Sequence, residues 1–285
     1  MILSHPLPPS DVRAEVCAHI PWAEHGVWQA LIGGRTNASW RVDGSEGQSA
    51  VLKLYRDKTD NPLFPNDAGA EATLLRHLAG KSIAPDWIAS FQSSGADCNL
   101  YHALPGEPWT DGVKKVADLV KRVHAIEPPS GLRSAANGSA ELMQQANAIF
   151  AKSGQSLQTP SVESRVAPSD NKVMLHCDIV PGNLILSENG LRLIDWQCPA
   201  IGDPTEDLAV FLSPAMQLLY RGATLSEQET QGFLRQFDDA QQMRYHALAP
   251  LYHYRMSAYC QWQIERENLA YKEALEAELN ALYPA

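Results

Sequence analysis

The chain has 285 residues, 45% of them hydrophobic, and a formal net charge of −10. That length suits two lobes around one cleft, and the acidic balance argues against a nucleic-acid partner, whose phosphate backbone needs a basic face. Five cysteines (Cys17, Cys98, Cys177, Cys198, Cys260) are odd in number and show no Cys-x-x-Cys spacing, which argues against a disulfide framework or zinc site and predicts a cytoplasmic setting.

Met1-Ile2-Leu3-Ser4-His5-Pro6 has no basic stretch leading into an apolar core, so no secretory leader is expected. In chain order, residues 27–32, 38–42 and 50–55 read as short strands separated by Gly-rich turns. A helix is expected next, capped near Asn66-Asp67 and carrying Ala70, Leu74, Leu75 and Leu78 at helical spacing. Residues 87–91 and 99–104 complete the sheet, and Pro105-Gly106-Glu107-Pro108 makes the crossing to a second lobe. The boundary is placed between residues 104 and 105, giving lobes 1–104 and 105–285. From residue 113 the pattern turns helical: 113–126, 140–152, then, after a polar connection in 153–171 and an apolar hairpin, 208–220, 226–237, 250–266 and 269–282. The apolar run near 208–220 is interrupted by Ser213-Pro214 and is too short to span a bilayer, so no membrane partner is expected.

The chemistry concentrates in one stretch. Leu175-His176-Cys177-Asp178-Ile179-Val180-Pro181-Gly182-Asn183 reads H-x-D-x-x-x-x-N, and Leu193-Ile194-Asp195-Trp196 follows after the hairpin. Phosphoryl transfer needs these types in this order: an aspartate to take the proton of an attacking hydroxyl, and an asparagine and second aspartate to hold magnesium. Asn189-Gly190 is suited to the positive φ angles of a tight turn, which would bring Asn183 and Asp195 to one end of the ribbon. Upstream, Lys53 interrupts the apolar strand Val51-Leu52-Lys53-Leu54. It is either a solvent-facing edge residue or a phosphate clamp, because a buried lysine needs a partner. Glu71, on the helix that follows, is either that partner or a first-turn acid favoured by the helix dipole.

These residues resemble the aminoglycoside phosphotransferase and choline kinase superfamily, the small-molecule relatives of the protein kinases. Cys177 stands where protein kinases carry arginine, Asp195-Trp196-Gln197 replaces Asp-Phe-Gly, and Gly202-Asp203-Pro204-Thr205-Glu206-Asp207-Leu208-Ala209 follows in place of an activation loop. Gly33-Gly34-Arg35-Thr36-Asn37 resembles the phosphate loop of choline and thiamine kinase-like members. The resemblance implies an α+β, two-lobed protein-kinase-like fold, with a small β-rich N-terminal lobe and a larger, mainly helical C-terminal lobe. It implies ATP as co-substrate and Mg2+ as cofactor. Gly33, Gly34, Thr36, Asn37, Lys53 and Glu71 would serve the phosphates, and the backbone of Ala103 and Leu104 the adenine. Asp178 would be the catalytic base, Asn183 and Asp195 the metal ligands, and His176 and Asp207 braces of the catalytic loop.

The acceptor is less legible. Tyr252 and Tyr259 are seven apart on a helix expected to begin at Pro250, and Trp262 lies beside them. Such rings either form a box for a cationic alcohol of the choline, ethanolamine or thiamine type, or pack as core. Asp203 and Glu206 are either acceptor contacts or surface acids, and Trp109, Trp196 and Tyr220 are further candidates for the pocket wall. A sugar or aminoglycoside kinase is the alternative. Rivals of another class are a catalytically silent nucleotide-binding module and a metal-dependent hydrolase built on His176, Asp178 and Asp195. The oligomeric state stays open.

Overall fold

The computed structural model describes residues 7–31, 37–56, 61–154, 157 and 165–283. The expected phosphate-loop residues Gly33, Gly34 and Thr36 lie outside them, as does most of the polar connection after residue 154. Ahead of the first strand stands a helix with no counterpart among the expected elements, α1 (Ser10–His19). Its signal was Val12 and Val16, four apart behind Pro8-Pro9, and both are fully buried against the sheet.

The sheet is antiparallel, five-stranded and ordered β1-β2-β3-β5-β4. Its strands are β1 (Val27–Leu31), β2 (Ala38–Asp43), β3 (Ser49–Tyr55), β4 (Trp87–Ser93) and β5 (Ala96–His102). Side chains alternate between faces. Trp40, Val42, Ala50, Leu52 and Leu54 therefore turn to the α1 side, and Lys53 turns to the other face. Helix α2 (Ala68–His77) joins β3 to β4, and Asp67 caps it by accepting the Ala70 N–H at 2.9 Å.

The chain leaves the sheet through a two-residue strand, β6 (Glu107–Pro108). β6 pairs with β9 (Leu184–Ser187), and β9 pairs with β10 (Gly190–Leu193), so the crossing is stitched to the catalytic hairpin. Gly106 makes this approach possible: its φ is +129°, and a Cβ there would lie 2.3 Å from the Leu186 carbonyl oxygen. Gly106→Ala is expected to cost about 2–4 kcal/mol, read as a lower urea midpoint at unchanged slope. The hairpin turn differs from expectation. Ser187 pairs with Gly190 across Glu188-Asn189, and of the Asn-Gly pair only Gly190 has positive φ, at +101°.

The rest is mainly helical: α3 (Val113–His124), α4 (Gly138–Ser153), α5 (Thr205–Leu212), α6 (Pro214–Arg221), α7 (Glu227–Leu234), α8 (Asp239–Ile264) and α9 (Tyr271–Leu282). Three short strands, β7 (Arg133–Ser134), β8 (Val173–Leu175) and β11 (Ala200–Gly202), pair in the order β7-β11-β8. Two helix boundaries correct the sequence reading. Residues 208–220 are split into α5 and α6, because Ser213 caps a new helix by accepting the Met216 N–H and Pro214 takes its first position. Pro250 does not begin α8. The helix starts at Asp239, capped by Asp238, and runs through Pro250 with one donor missing. Among the described residues no helix is long and apolar enough to cross a membrane.

Candidate active site

Four elements converge on one cluster of charged side chains. Lys53 is buried on the cleft face of β3 and donates to Glu71 Oε2 of α2 at 2.9 Å and to Asp195 Oδ1. Burial by itself would weaken the ammonium, but the Asp195 and Glu71 carboxylates more than offset it and hold Lys53 above the usual lysine range. Lys53 is therefore buried and paired, and not a solvent-facing edge residue. The other oxygen of Glu71 accepts the Trp196 N–H at 3.2 Å, so α2 is bonded directly to the residue after Asp195. Tyr101 on β5 completes the wall; burial and the Glu71 charge push its hydroxyl above the usual tyrosine range.

The catalytic loop is held from behind. Asp207, fully buried on α5, accepts the N–H of His176 at 3.2 Å and of Cys177 at 2.8 Å, and lies 2.9 Å from His124 Nε2. The Asp178 N–H donates to His176 Nδ1 at 3.2 Å, so the ring proton sits on Nε2, which donates to the Ile194 carbonyl at 3.0 Å. Burial keeps this imidazole below the usual histidine range, hence neutral. Both ring nitrogens are occupied, which removes His176 as a metal ligand and with it the hydrolase reading. Asp207→Ala strands two buried N–H groups and is expected to cost about 2–5 kcal/mol in urea unfolding.

Cys177 and Asp195 are non-glycine residues with φ of +63° and +65°. Left-handed backbone is uncommon there and marks geometry that the surroundings impose. The Ile194 N–H donates to the Asn183 carbonyl at 2.9 Å, which sets Asp195 beside Asn183. Asn183 Nδ2 donates to the Asp178 carbonyl at 2.9 Å and to Asp178 Oδ2 at 3.0 Å. The Asn183 amide oxygen and the second Asp195 oxygen have no partner among the described residues. Burial, with the Asp195 charge adding to it, pushes the Asp178 carboxyl up to about 8.

Asn37 closes the small-lobe end. Its Nδ2 donates at 2.8 Å to Asn66 Oδ1 and to Gln197 Oε1, tying the end of the Gly-rich segment to the stretch after Asp195. At the lobe crossing, the Ala103 N–H donates to the Ser49 carbonyl at 3.0 Å. The Leu104 N–H has no partner among the described residues.

A family model described as "Phosphotransferase enzyme family" matches residues 27–254. The chain belongs to this family. Solved structures share the fold at low identity. A choline/ethanolamine kinase family protein from Mesorhizobium loti is 14% identical with a TM-score of 0.67, covering 96% of this chain and 94% of its own. A choline kinase from Cryptosporidium parvum is 14% identical with a TM-score of 0.61, covering 95% and 96%. Spectinomycin phosphotransferase in complex with ADP and spectinomycin is 13% identical with a TM-score of 0.60, covering 98% and 96%.

Of the acceptor residues suggested by sequence, Asp203, Glu206 and Tyr252 are linked in one network, while Tyr259 and Trp262 lie apart from it. Asp203 accepts the Thr205 N–H and hydroxyl through Oδ1, and Arg244 Nε donates to its Oδ2 at 2.7 Å. Glu206 is held in a buried two-bond pair by Arg255, at 2.6 and 3.0 Å. Both carboxylates are buried and bonded within the chain. Tyr252 bonds Thr205 at 2.8 Å and carries Arg255 at 5.2 Å from its ring, in one apolar cluster. Tyr259 and Trp262 lie in a different cluster, where Asn61 and Gln263 bond the Tyr259 hydroxyl and Arg266 stacks 3.8 Å from the Trp262 ring. The rings are buried, and two of them are covered by arginines of the chain, buried Arg255 and exposed Arg266. Trp109 and Trp196 are also buried. Trp196 packs edge-on against His176, with 4.5 Å between ring centroids, and Tyr220 meets the catalytic turn: a Cβ on Gly182 would lie 2.7 Å from its ring.

Proposed function

We propose that the chain is an ATP- and magnesium-dependent phosphotransferase that moves the γ-phosphate of ATP to the hydroxyl of a small metabolite. The observation that carries this reading is the meeting of three groups: the buried Asp178 carboxyl, the oxygens of Asn183 and Asp195 that have no partner among the described residues, and the Lys53 ammonium bonded to Asp195. Two hard oxygens fit magnesium, which takes few protein ligands and completes its shell with phosphates and water. When bound, the ion would supply charge neutralisation between the phosphates.

Asp178 orients the acceptor hydroxyl and in its ionised form accepts the proton; the Asn183 amide, which donates to the carboxylate, holds it in place and favours that form. Lys53 fixes the α- and β-phosphates, with Glu71 positioning it. Gly33, Gly34, Thr36 and Asn37 are assigned to the phosphates, and the Leu104 N–H, which has no partner among the described residues, to the adenine edge. Transfer is direct, without a phosphoenzyme. ADP in the spectinomycin phosphotransferase structure supports the nucleotide assignment.

For the acceptor we retain a cationic alcohol of the choline, ethanolamine or thiamine type, supported by the net charge of −10 rather than by an aromatic box. The arginines over Tyr252 and Trp262 favour the second reading, a sugar or aminoglycoside. A coupled ADP-release assay against choline, ethanolamine, thiamine, sugars and aminoglycosides separates them. Stimulation by a cationic alcohol supports the first; stimulation by sugars or aminoglycosides alone replaces it with the second. A flat response despite measurable ATP binding favours a silent nucleotide-binding module.

A further inference from the structure

A cavity of about 500 Å³ lies between the outer side of α2 and the turn that leads into β7. Thr73 and Asp67 line it from the small lobe, and Gly131, Arg133, Gln197 and Cys198 from the other side. None of Lys53, Asp178, Asn183 or Asp195 is among its walls. It is therefore a different space from the catalytic cluster.

Its chemistry is set by Arg133. One guanidinium nitrogen, Nη2, donates to the Cys198 carbonyl at 2.9 Å, while Nε is buried without a partner among the described residues. No carboxylate pairs with this arginine among the described residues. The single acid in the wall, Asp67, already accepts the Ala70 N–H as the cap of α2. A guanidinium partly withdrawn from water and lacking a counter-ion is poorly solvated, and its planar fork matches an oxyanion. Gly131, in the same wall, opens onto free space: a Cβ there would meet nothing within 4 Å.

We infer that this cavity is a binding site for a compact oxyanion, a carboxylate or a phosphate monoester, that regulates the phosphotransferase. The regulatory part rests on the proposed activity; the binding part does not. The walls belong to the two pieces that set the catalytic ion pairs. α2 carries Glu71, and Gln197 and Cys198 follow Asp195. The Asp67 N–H donates to the Gln197 carbonyl at 3.1 Å, so the two pieces already touch at the cavity rim. An anion on Arg133 loads both, biasing how Glu71 and Asp195 share Lys53.

Isothermal titration of the full chain with inorganic phosphate, and separately with malonate, tests the site. One saturable event is expected with at least one of them, phosphate alone indicating a phosphate monoester and malonate alone a carboxylate. Arg133→Gln should weaken it about tenfold or more. Thr73→Trp, which fills the cavity from the opposite wall and leaves Arg133 in place, should abolish it. Asp178→Asn should leave it unchanged. No binding of either anion, affinity equal to the parent's in folded Arg133→Gln and Thr73→Trp proteins, or loss in Asp178→Asn overturns the inference. Where turnover is measurable, the bound anion should alter kcat in the parent and not in Thr73→Trp; equal responses overturn the regulatory role. A chain without turnover would sink the proposed activity and leave the binding result standing.

Discussion

Asp178→Asn is expected to lower kcat by about 10²–10⁴-fold while ATP affinity changes little, because the group lost acts on the acceptor proton and not on the nucleotide. Stability should move the other way. Burial has pushed this carboxyl up to about 8, against about 3.9 for an unfolded chain. Between those values the folded protein binds more protons than the unfolded one, so the group's contribution to stability falls as pH rises through the window. Asparagine carries no such proton and can still meet Asn183. In chelated, nucleotide-free protein, the variant's Tm should therefore gain on the parent's between about pH 5 and 8. A variant that loses both turnover and Tm across that range would make Asp178 a structural residue.

Lys53→Met should damage both stability and turnover. It leaves the Glu71 carboxylate buried at 1% exposure with no cation, and breaking such a pair from one side costs about 3–5 kcal/mol. Asp195 contributes less to that cost, because its side chain is 31% exposed and can turn to water. Turnover should fall about 10²-fold or more with the loss of a preorganised cation at the phosphates. Pairing the change with Glu71→Gln separates the effects, since glutamine removes the stranded charge and still accepts the Trp196 N–H. The double variant should recover most of the urea midpoint and none of the turnover. If turnover returned with stability, Lys53 would be a structural cation and the phosphate clamp would lie elsewhere.

The residues that meet through local patterns were readable in advance. Lys53 declared itself by interrupting an apolar strand, and Asp67 by its place ahead of Leu74, Leu75 and Leu78. The hairpin between Asn183 and Asp195 was legible because apolar runs bracket a turn. What failed depended on partners distant in sequence. Tyr252, Tyr259 and Trp262 share helical spacing, but Thr205, Asn61 and Arg266 decide where each one ends up. Asp203 and Glu206 look available until Arg244 and Arg255, about forty and fifty residues on, arrive beside them. Pro250 gave a false start to α8 because neighbouring packing outweighs one missing hydrogen bond. The left-handed backbone of Cys177 and Asp195 has no signature in residue type, since neither position is glycine.

The most direct test of the proposed transfer is 31P NMR of ATP, magnesium and the acceptor panel incubated with the parent chain and with Asp178→Asn. The account predicts a new phosphomonoester signal that appears with ADP, requires both magnesium and an acceptor, and vanishes in the variant. Inorganic phosphate as the sole product, formed whether or not an acceptor is present, or a monoester formed equally well by Asp178→Asn, would contradict it.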